Sequence, residues 1–234
     1  MRETLALTRR ELAAYFQSPV AYVVGVVFLG TTAALFFSTF FLFDRAEMRG
    51  FFSLLPLLLA LLMPALAMRL IAEERRRGTW EVISTLPLTT VQIVAGKFLA
   101  LWLTGLFLLA PTLIFAITVG AMGRLDPGPV VAGYLGAALL TGAYAAAGLF
   151  ASAVARSETV ALILALVICL VLALIDGFLV LMPTAVVPLV EYLSTSGHFS
   201  SFTRGVVDSR SLVYFLSVMG FFLILTNHRL KREQ

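Results

Sequence analysis

Charge, histidine and cysteine are all scarce in this sequence. Charged residues make up 13% of the 234 residues, where a soluble domain carries about 25%. With 60% hydrophobic residues and a mean hydropathy of +0.99, too much apolar surface is present for any water-soluble fold to hide. The solvent is therefore read as lipid. A single cysteine, Cys169, lies inside an apolar run and excludes an intrachain disulfide. Two histidines, His198 and His228, fall on opposite sides of the membrane in the topology derived below, so they cannot share a metal. No phosphate-binding loop of the G-x-x-x-x-G-K-[ST] type is present: Gly96-Lys97 is followed by Phe98 and lacks the upstream glycine. ATP hydrolysis by that route is excluded for this chain. No removable signal peptide is expected, because the first apolar run starts only near Val20 and is too long for one. The formal charge of +4 is not gathered into a stripe for nucleic acid. Basic residues sit instead at the ends of apolar runs, as in membrane proteins.

What is abundant is apolar sequence in lengths that cross a bilayer, about 20 residues each. Six segments qualify: Val20 to Phe43, Phe51 to Ile71, roughly Val91 to Met122, Val130 to Val154, Thr159 to Met182, and Ser211 to Asn227. All should be helices, since an open strand in lipid leaves its backbone groups unpaired. With the N-terminus inside, twelve of the 17 basic residues fall on the inner side, which predicts that both termini are cytoplasmic. The expected fold is an all-α membrane protein, one domain over residues 1–234. Residues 1–19 should form an amphipathic helix in the inner interface. Leu5, Leu12 and Phe16 lie near one face of it, and Arg2, Arg9 and Arg10 lie elsewhere, toward anionic headgroups. Pro19 then turns the chain into the first span.

The one strongly polar stretch, "EERRRGTWEVISTLPLTT", runs from residue 73 to 90 on the cytoplasmic side. Gly78 should break the helix leaving the second span. Thr79 is expected as an N-cap, with Glu81 in the first turn where the helix dipole favours a carboxylate. Pro87 limits the new helix to Trp80–Leu86, and Trp80, Ile83 and Leu86 share a face. Thr89 and Gln92 form a T-x-x-Q capping box that starts the third span. Lys97, a turn or two inside, is expected to snorkel back to the interface. Two readings of the short helix stand side by side: an interfacial helix packed on lipid with Trp80 in the headgroup belt, or a rigid element held between two spans and gripped from outside.

The extended stretch "EERRRGTWEVISTLPLTTVQIVAGK" resembles the signature of type-2 ABC exporter permeases, the membrane subunits of ATP-binding-cassette transporters. The matching residues are Glu73, Glu74, Gly78, Thr79, Glu81, Pro87, Gly96 and Lys97. The N-terminal "RRELAAYFQSPVAYVV" and the later "SGHFSSFTRGVVDSRSLVYFLS" resemble the gliding-motility-type branch of those permeases. The permeases of nitrous oxide reductase maturation are the nearest competing branch. The resemblance implies that residues 73–90 form a coupling helix that docks on a separate cytoplasmic ATPase, with Glu73, Glu74, Gly78, Thr79, Trp80, Glu81, Ile83, Leu86 and Pro87 as the coupling set. It further implies ATP and Mg in that partner rather than in this chain, a second copy of the permease or a related one, and an accessory subunit with an extracytoplasmic domain. The resemblance also implies the bacterial inner membrane as the location and export as the function.

Residues 183–210 are too long for a turn and too broken to span. They are expected to form an outer re-entrant segment: a short apolar helix from Val186 to Leu193, an interruption at Ser194 to Gly197, then a second helix carrying Phe199, Phe202 and Val206. His198, Phe199, Phe202, Arg204 and Asp208 form a candidate outer gate, with Asp208 capping the sixth span and Arg204 one turn from it, within reach of a pair. The alternative is a loop packed passively on the spans. An intramembrane serine protease would need a histidine and a nucleophilic serine at membrane depth, and His198 with its neighbours Ser196, Ser200 and Ser201 lies in the outer loop. Span interiors hold almost no charge. Asp176 is the exception and should lie near the outer edge, because a carboxylate at the bilayer centre costs roughly 2.5–3.5 kcal/mol. Without partners at its depth, it argues against an ion-coupled secondary transporter. A non-conducting scaffold that passes motion to an outside partner is a further alternative. In the fourth span Ala138, Gly142 and Ala146 recur every four positions and permit close helix approach, within the subunit or across a dimer. Pro56, Pro64 and Pro111 are placed to kink their spans.

Overall fold

The computed structural model describes residues 2–43, 47–80, 88–177 and 193–232, and the side chains of all of these except residues 2, 39 and 41–43. The chain is all-helical over these residues. Ten α-helices are described here: α1 (Arg2–Gln17), α2 (Pro19–Phe43), α3 (Arg49–Ala67), α4 (Ala72–Arg76), α5 (Thr90–Leu109), α6 (Leu113–Met122), α7 (Pro127–Val154), α8 (Glu158–Leu174), α9 (Thr195–Thr203) and α10 (Ser209–Lys231). Among the described residues six helical stretches are long and apolar enough to cross a membrane, in the order the hydrophobic runs predict. The sixth is longer than expected, running from Ser209 to Lys231. The third contains a one-turn 3-10 segment, Ala110–Thr112, at Pro111, where the imino nitrogen cannot donate to the helical ladder. The end of the fifth expected span, toward Met182, and the apolar helix from Val186 to Leu193 fall largely on residues outside the described set.

Local chemistry sets the helix starts. Thr89 and Gln92 close the expected capping box: the Thr89 N–H donates to Gln92 Oε1 (2.8 Å) and the Gln92 N–H to Thr89 Oγ1 (3.3 Å). Asp126 caps α7 with Pro127 in the first turn, and Ser157 caps α8. Ser194 caps α9 by accepting from the Gly197 N–H (3.1 Å), so the predicted interruption shrinks to one residue and Thr195–Gly197 are already helical. Asp208 caps α10 as expected, accepting from the Arg210 N–H (2.9 Å).

The most buried span is α7, because its glycines are notches for side chains of its neighbours. A Cβ added at Gly133 would come 2.5 Å from the Phe52 ring, one at Gly136 2.7 Å from Phe202, one at Gly142 2.6 Å from Met219, and one at Gly148 2.5 Å from Ala67. Trp102 closes over the same face, its Nε1–H donating to the Ala138 carbonyl (2.8 Å). The small residues of this helix thus serve packing within the subunit. An aromatic cluster of Phe36, Phe51, Phe115 and Tyr134 fills the space between α2, α3, α6 and α7, with ring centroids 5.8–6.2 Å apart.

Two expectations about α1 and α5 change. In α1 the residues buried against protein are Leu7 and Thr8, while Leu5 is 71% exposed and Leu12 and Phe16 are half-buried. The reason lies at Gly96 of α5: lacking a Cβ, it admits Leu7, and its carbonyl accepts a hydrogen bond from Thr8 (3.3 Å). Lys97 does not snorkel. It is fully buried, because carboxylates come to it.

Candidate functional site

The span made of α3 and α4 breaks at residues 68–71, and the break exposes backbone groups that a helix end cannot satisfy by itself. Side chains from three other helices satisfy them, and a fourth helix adds an ion pair to the segment's arginines. Tyr15 of α1 donates to the Leu66 carbonyl (2.9 Å). Burial, with Glu11 close by, pushes its phenol well above the usual range, which keeps it a neutral donor. Ser152 of α7, fully buried, accepts from the Ile71 and Ala72 N–H groups (3.1 and 3.2 Å) and donates to the Met68 carbonyl (3.3 Å). Lys97 of α5 donates to the Leu70 carbonyl (2.8 Å), to Glu74 (2.7 Å) and to Glu11 (3.3 Å). Glu158, at the first turn of α8, takes Arg76 at 2.8 Å and Arg69 at 3.6 Å.

Lys97 is the centre of this arrangement. A buried ammonium is tolerated only when paired and hydrogen-bonded, and here three partners come from α1, the 68–71 turn and α4. The segment that enters the polar connector is therefore tied at once to α1, α5, α7 and α8. On its outer side Arg77 pairs with Glu73 one turn back, and Arg75 donates to the Ala155 carbonyl (3.2 Å) and lies over the Trp80 ring (5.9 Å to the centroid).

The predicted coupling residues divide accordingly. Glu73 and Glu74 are half-buried and ion-paired, and Trp80 is buried. Gly78 has φ +71°, a left-handed conformation that glycine adopts without strain and that ends α4. Thr79 is not the N-cap: it already lies in helical backbone, and its hydroxyl donates back to the Glu74 carbonyl (3.3 Å). With Gly78 making the turn, the new helix starts one residue earlier than the Ser/Thr preference suggests. Glu81, Ile83, Leu86 and Pro87 lie outside the described residues. Sequence reasoning missed Glu11, Tyr15, Ser152 and Glu158. The available signal was Lys97 itself, a lone cation two turns inside an apolar span, which demands a carboxylate at its depth.

At the opposite end, α9 carries the predicted gate residues His198, Phe199 and Phe202, and Arg204 and Asp208 follow it. Phe199 and Phe202 are buried, Phe202 against the α7 notch at Gly136. His198 stacks on Tyr214 (4.1 Å between centroids) and its Nδ1 lies 3.3 Å from Ser211 Oγ. Ser196 and Ser200 donate to backbone carbonyls of Ala173 and Gly197. Tyr144 and Thr195 share a buried hydroxyl contact (2.9 Å), and Tyr214 donates to the Leu193 carbonyl (2.6 Å). Arg204 makes no ion pair with Asp208 among the described residues. The helix has ended at Thr203, and Gly205 turns the chain at φ +82°, so the one-turn spacing assumed for the pair is lost. Asp176 lies in the last turn after α8, half-buried, with one carboxylate oxygen lacking a hydrogen-bond partner. Among the described residues no three histidine, cysteine or acidic side chains gather to hold a metal.

A six-span helical bundle with a clamped polar connector between its second and third spans is thus in place, and comparison with protein families gives it a class. Residues 29–194 match the family described as ABC-2 family transporter protein. The chain belongs to the ABC-2 transporter family. It is a multi-pass membrane protein and an ABC permease subunit, a transporter component rather than an enzyme. The matched region takes in the second to fifth spans, the later part of the first, the connector and the opposite-end segment up to α9. A sequence comparison with curated proteins gives no match.

Proposed function

We propose that this ABC-2 permease subunit couples ATP hydrolysis in a separate cytoplasmic ABC ATPase to export, and that residues 73–90 are the element the ATPase grips. Two permease subunits, identical or related, enclose the pathway. Both termini and the connector face the cytoplasm of a bacterium, and the membrane is the inner one. ATP binding closes the ATPases together; the connector passes that displacement to the spans on either side. The motifs near the N-terminus and around α9 support the gliding-motility-type branch as the chain's subgroup, with an accessory subunit carrying an extracytoplasmic domain.

The observation that carries this reading is the four-helix clamp on residues 66–76. A connector that served only as a tether would need no buried ion cluster. A lever transmits load only when its root is rigid, and here the root is fixed by Tyr15, Ser152, Lys97 and Glu158. Trp80 stands just beyond that root, and Glu81 is the next residue in the sequence. Co-expression of the permease with its cognate ATPase tests the proposal. Glu81→Lys combined with Trp80→Ala is expected to lose co-purification of the ATPase, or to retain it with nucleotide turnover no longer responsive to the permease. Unchanged co-purification and unchanged stimulation of turnover would refute the docking role.

A further inference from the structure

A cleft of about 450 Å³ opens between α1 and the α3–α4 segment, where α1 departs from α2 at the Ser18–Pro19 bend. Its lining runs from Ala65 and Leu66, still inside the span, out to Arg77 and Thr79 in the polar connector. The cleft therefore crosses from apolar to polar chain over the depth at which lipid headgroups lie. Charge in this region is not balanced pair by pair. Glu11 and Glu74 share Lys97, Glu73 has Arg77, and Glu158 has Arg76 at 2.8 Å. Two guanidiniums that line the cleft are held loosely or not at all. Arg10 is exposed and has no ion pair among the described residues. Arg69 has only its 3.6 Å approach to Glu158, too long for a hydrogen bond, and its Nε is buried without a hydrogen-bond partner.

We propose that this cleft holds the phosphodiester of a membrane phospholipid between Arg10 and Arg69, with the lipid's glycerol and upper chains against Ala14, Ala65 and Val20. Guanidiniums suit phosphate because they donate to two oxygens at once. The carboxylates of the cleft wall favour a headgroup with a single negative charge over a polyanionic one. The site rests on the chain's membrane-spanning nature alone and stands or falls independently of the ATPase coupling.

Full-length chain in detergent, examined by native mass spectrometry with added lipid, tests the proposal. Palmitoyl-oleoyl phosphatidylglycerol and phosphatidylethanolamine are both expected to be retained at one per chain, and the matching diacylglycerol, which lacks phosphate, is not. Arg10→Gln should weaken retention about tenfold, the scale of one charge-assisted contact, and adding Arg69→Gln should weaken it further. Arg10 has no ion pair to lose, so its variant keeps the fold and the test remains interpretable if Arg69→Gln does not. Arg9→Gln, an exposed neighbour that does not line the cleft, should leave retention unchanged. Equal retention by wild type and the Arg10→Gln variant, equal loss in Arg9→Gln, or equal retention of diacylglycerol would each overturn the site. Displacement of the lipid by millimolar inorganic phosphate would overturn the lipid as its occupant and leave a free-phosphate site.

Discussion

At the end of the bundle that carries the connector, helices are joined by polar atoms: a buried ammonium, a serine hydroxyl that bridges three backbone groups, a tyrosine and a glutamate. At the opposite end no ion pair joins the helices among the described residues: neutral contacts such as Tyr144–Thr195 and Ser196 to the Ala173 carbonyl stand beside shape, with Phe52 and Phe202 seated in glycine notches of α7 and His198 stacked on Tyr214. The difference teaches where the molecule ties its helices with buried charge and where it relies on neutral contacts and fit. A hydrogen-bonded ion cluster fails abruptly when one partner moves, because a buried group is left unpaired. An aromatic ring against glycine can slide and repack at small cost. The connector end is accordingly the one suited to carry a directed displacement.

The sharpest way to break this contrast is Lys97→Met. It leaves Glu11 and Glu74 without their cation, and loss of one member of a buried ion pair costs about 3–5 kcal/mol. A large drop in melting temperature of the detergent-solubilised chain is expected, with much of it regained when Glu74→Gln is added. No recovery in the double variant would mean that the cluster is held by packing, like the other end. Next comes Gly136→Ala, where the new Cβ meets Phe202 at 2.7 Å; overpacking of this kind costs about 1–3 kcal/mol. Phe202→Leu in the same chain should restore stability, since a smaller side chain vacates the notch. Ser152→Ala tests the polar end by removing one oxygen from the Ile71 and Ala72 N–H groups, at about 1–2 kcal/mol. Its distinguishing readout is hydrogen exchange, which should rise at residues 71–76 and remain unchanged in α9. The smallest effect belongs to Tyr15→Phe, about 1 kcal/mol for a single hydrogen bond to the Leu66 carbonyl. Thermal melting with added salt should barely change it, whereas the partly exposed Arg77–Glu73 pair contributes less as salt rises.

Much of this was legible before any coordinates. The number and order of the spans, the Thr89–Gln92 capping box, the turn at Gly78 and the cap at Asp208 each rest on a neighbour close in sequence. Such features depend on backbone sterics and on nearby hydrogen bonds, which a short window contains. The expectations that changed all involved distant partners. Lys97 looked like a snorkelling lysine because Glu11 lies 86 residues away along the chain and nothing local announces it. Leu5 looked like part of the working face of α1 until Gly96 proved to be where that helix packs. Arg204 and Asp208 were set one turn apart on the assumption of continuous helix, and Gly205 ends it.

By itself, then, the sequence determined that the chain is helical, that it lies in lipid, and how many times it crosses. The length of an apolar run and the need to satisfy every backbone group in hydrocarbon leave no other solution. Only the tertiary structure decided which helices lock the connector and which charges beside α1 are held loosely. Those depend on pairings between residues far apart in the chain, and a buried charge declares its partner only when the helices have been brought together.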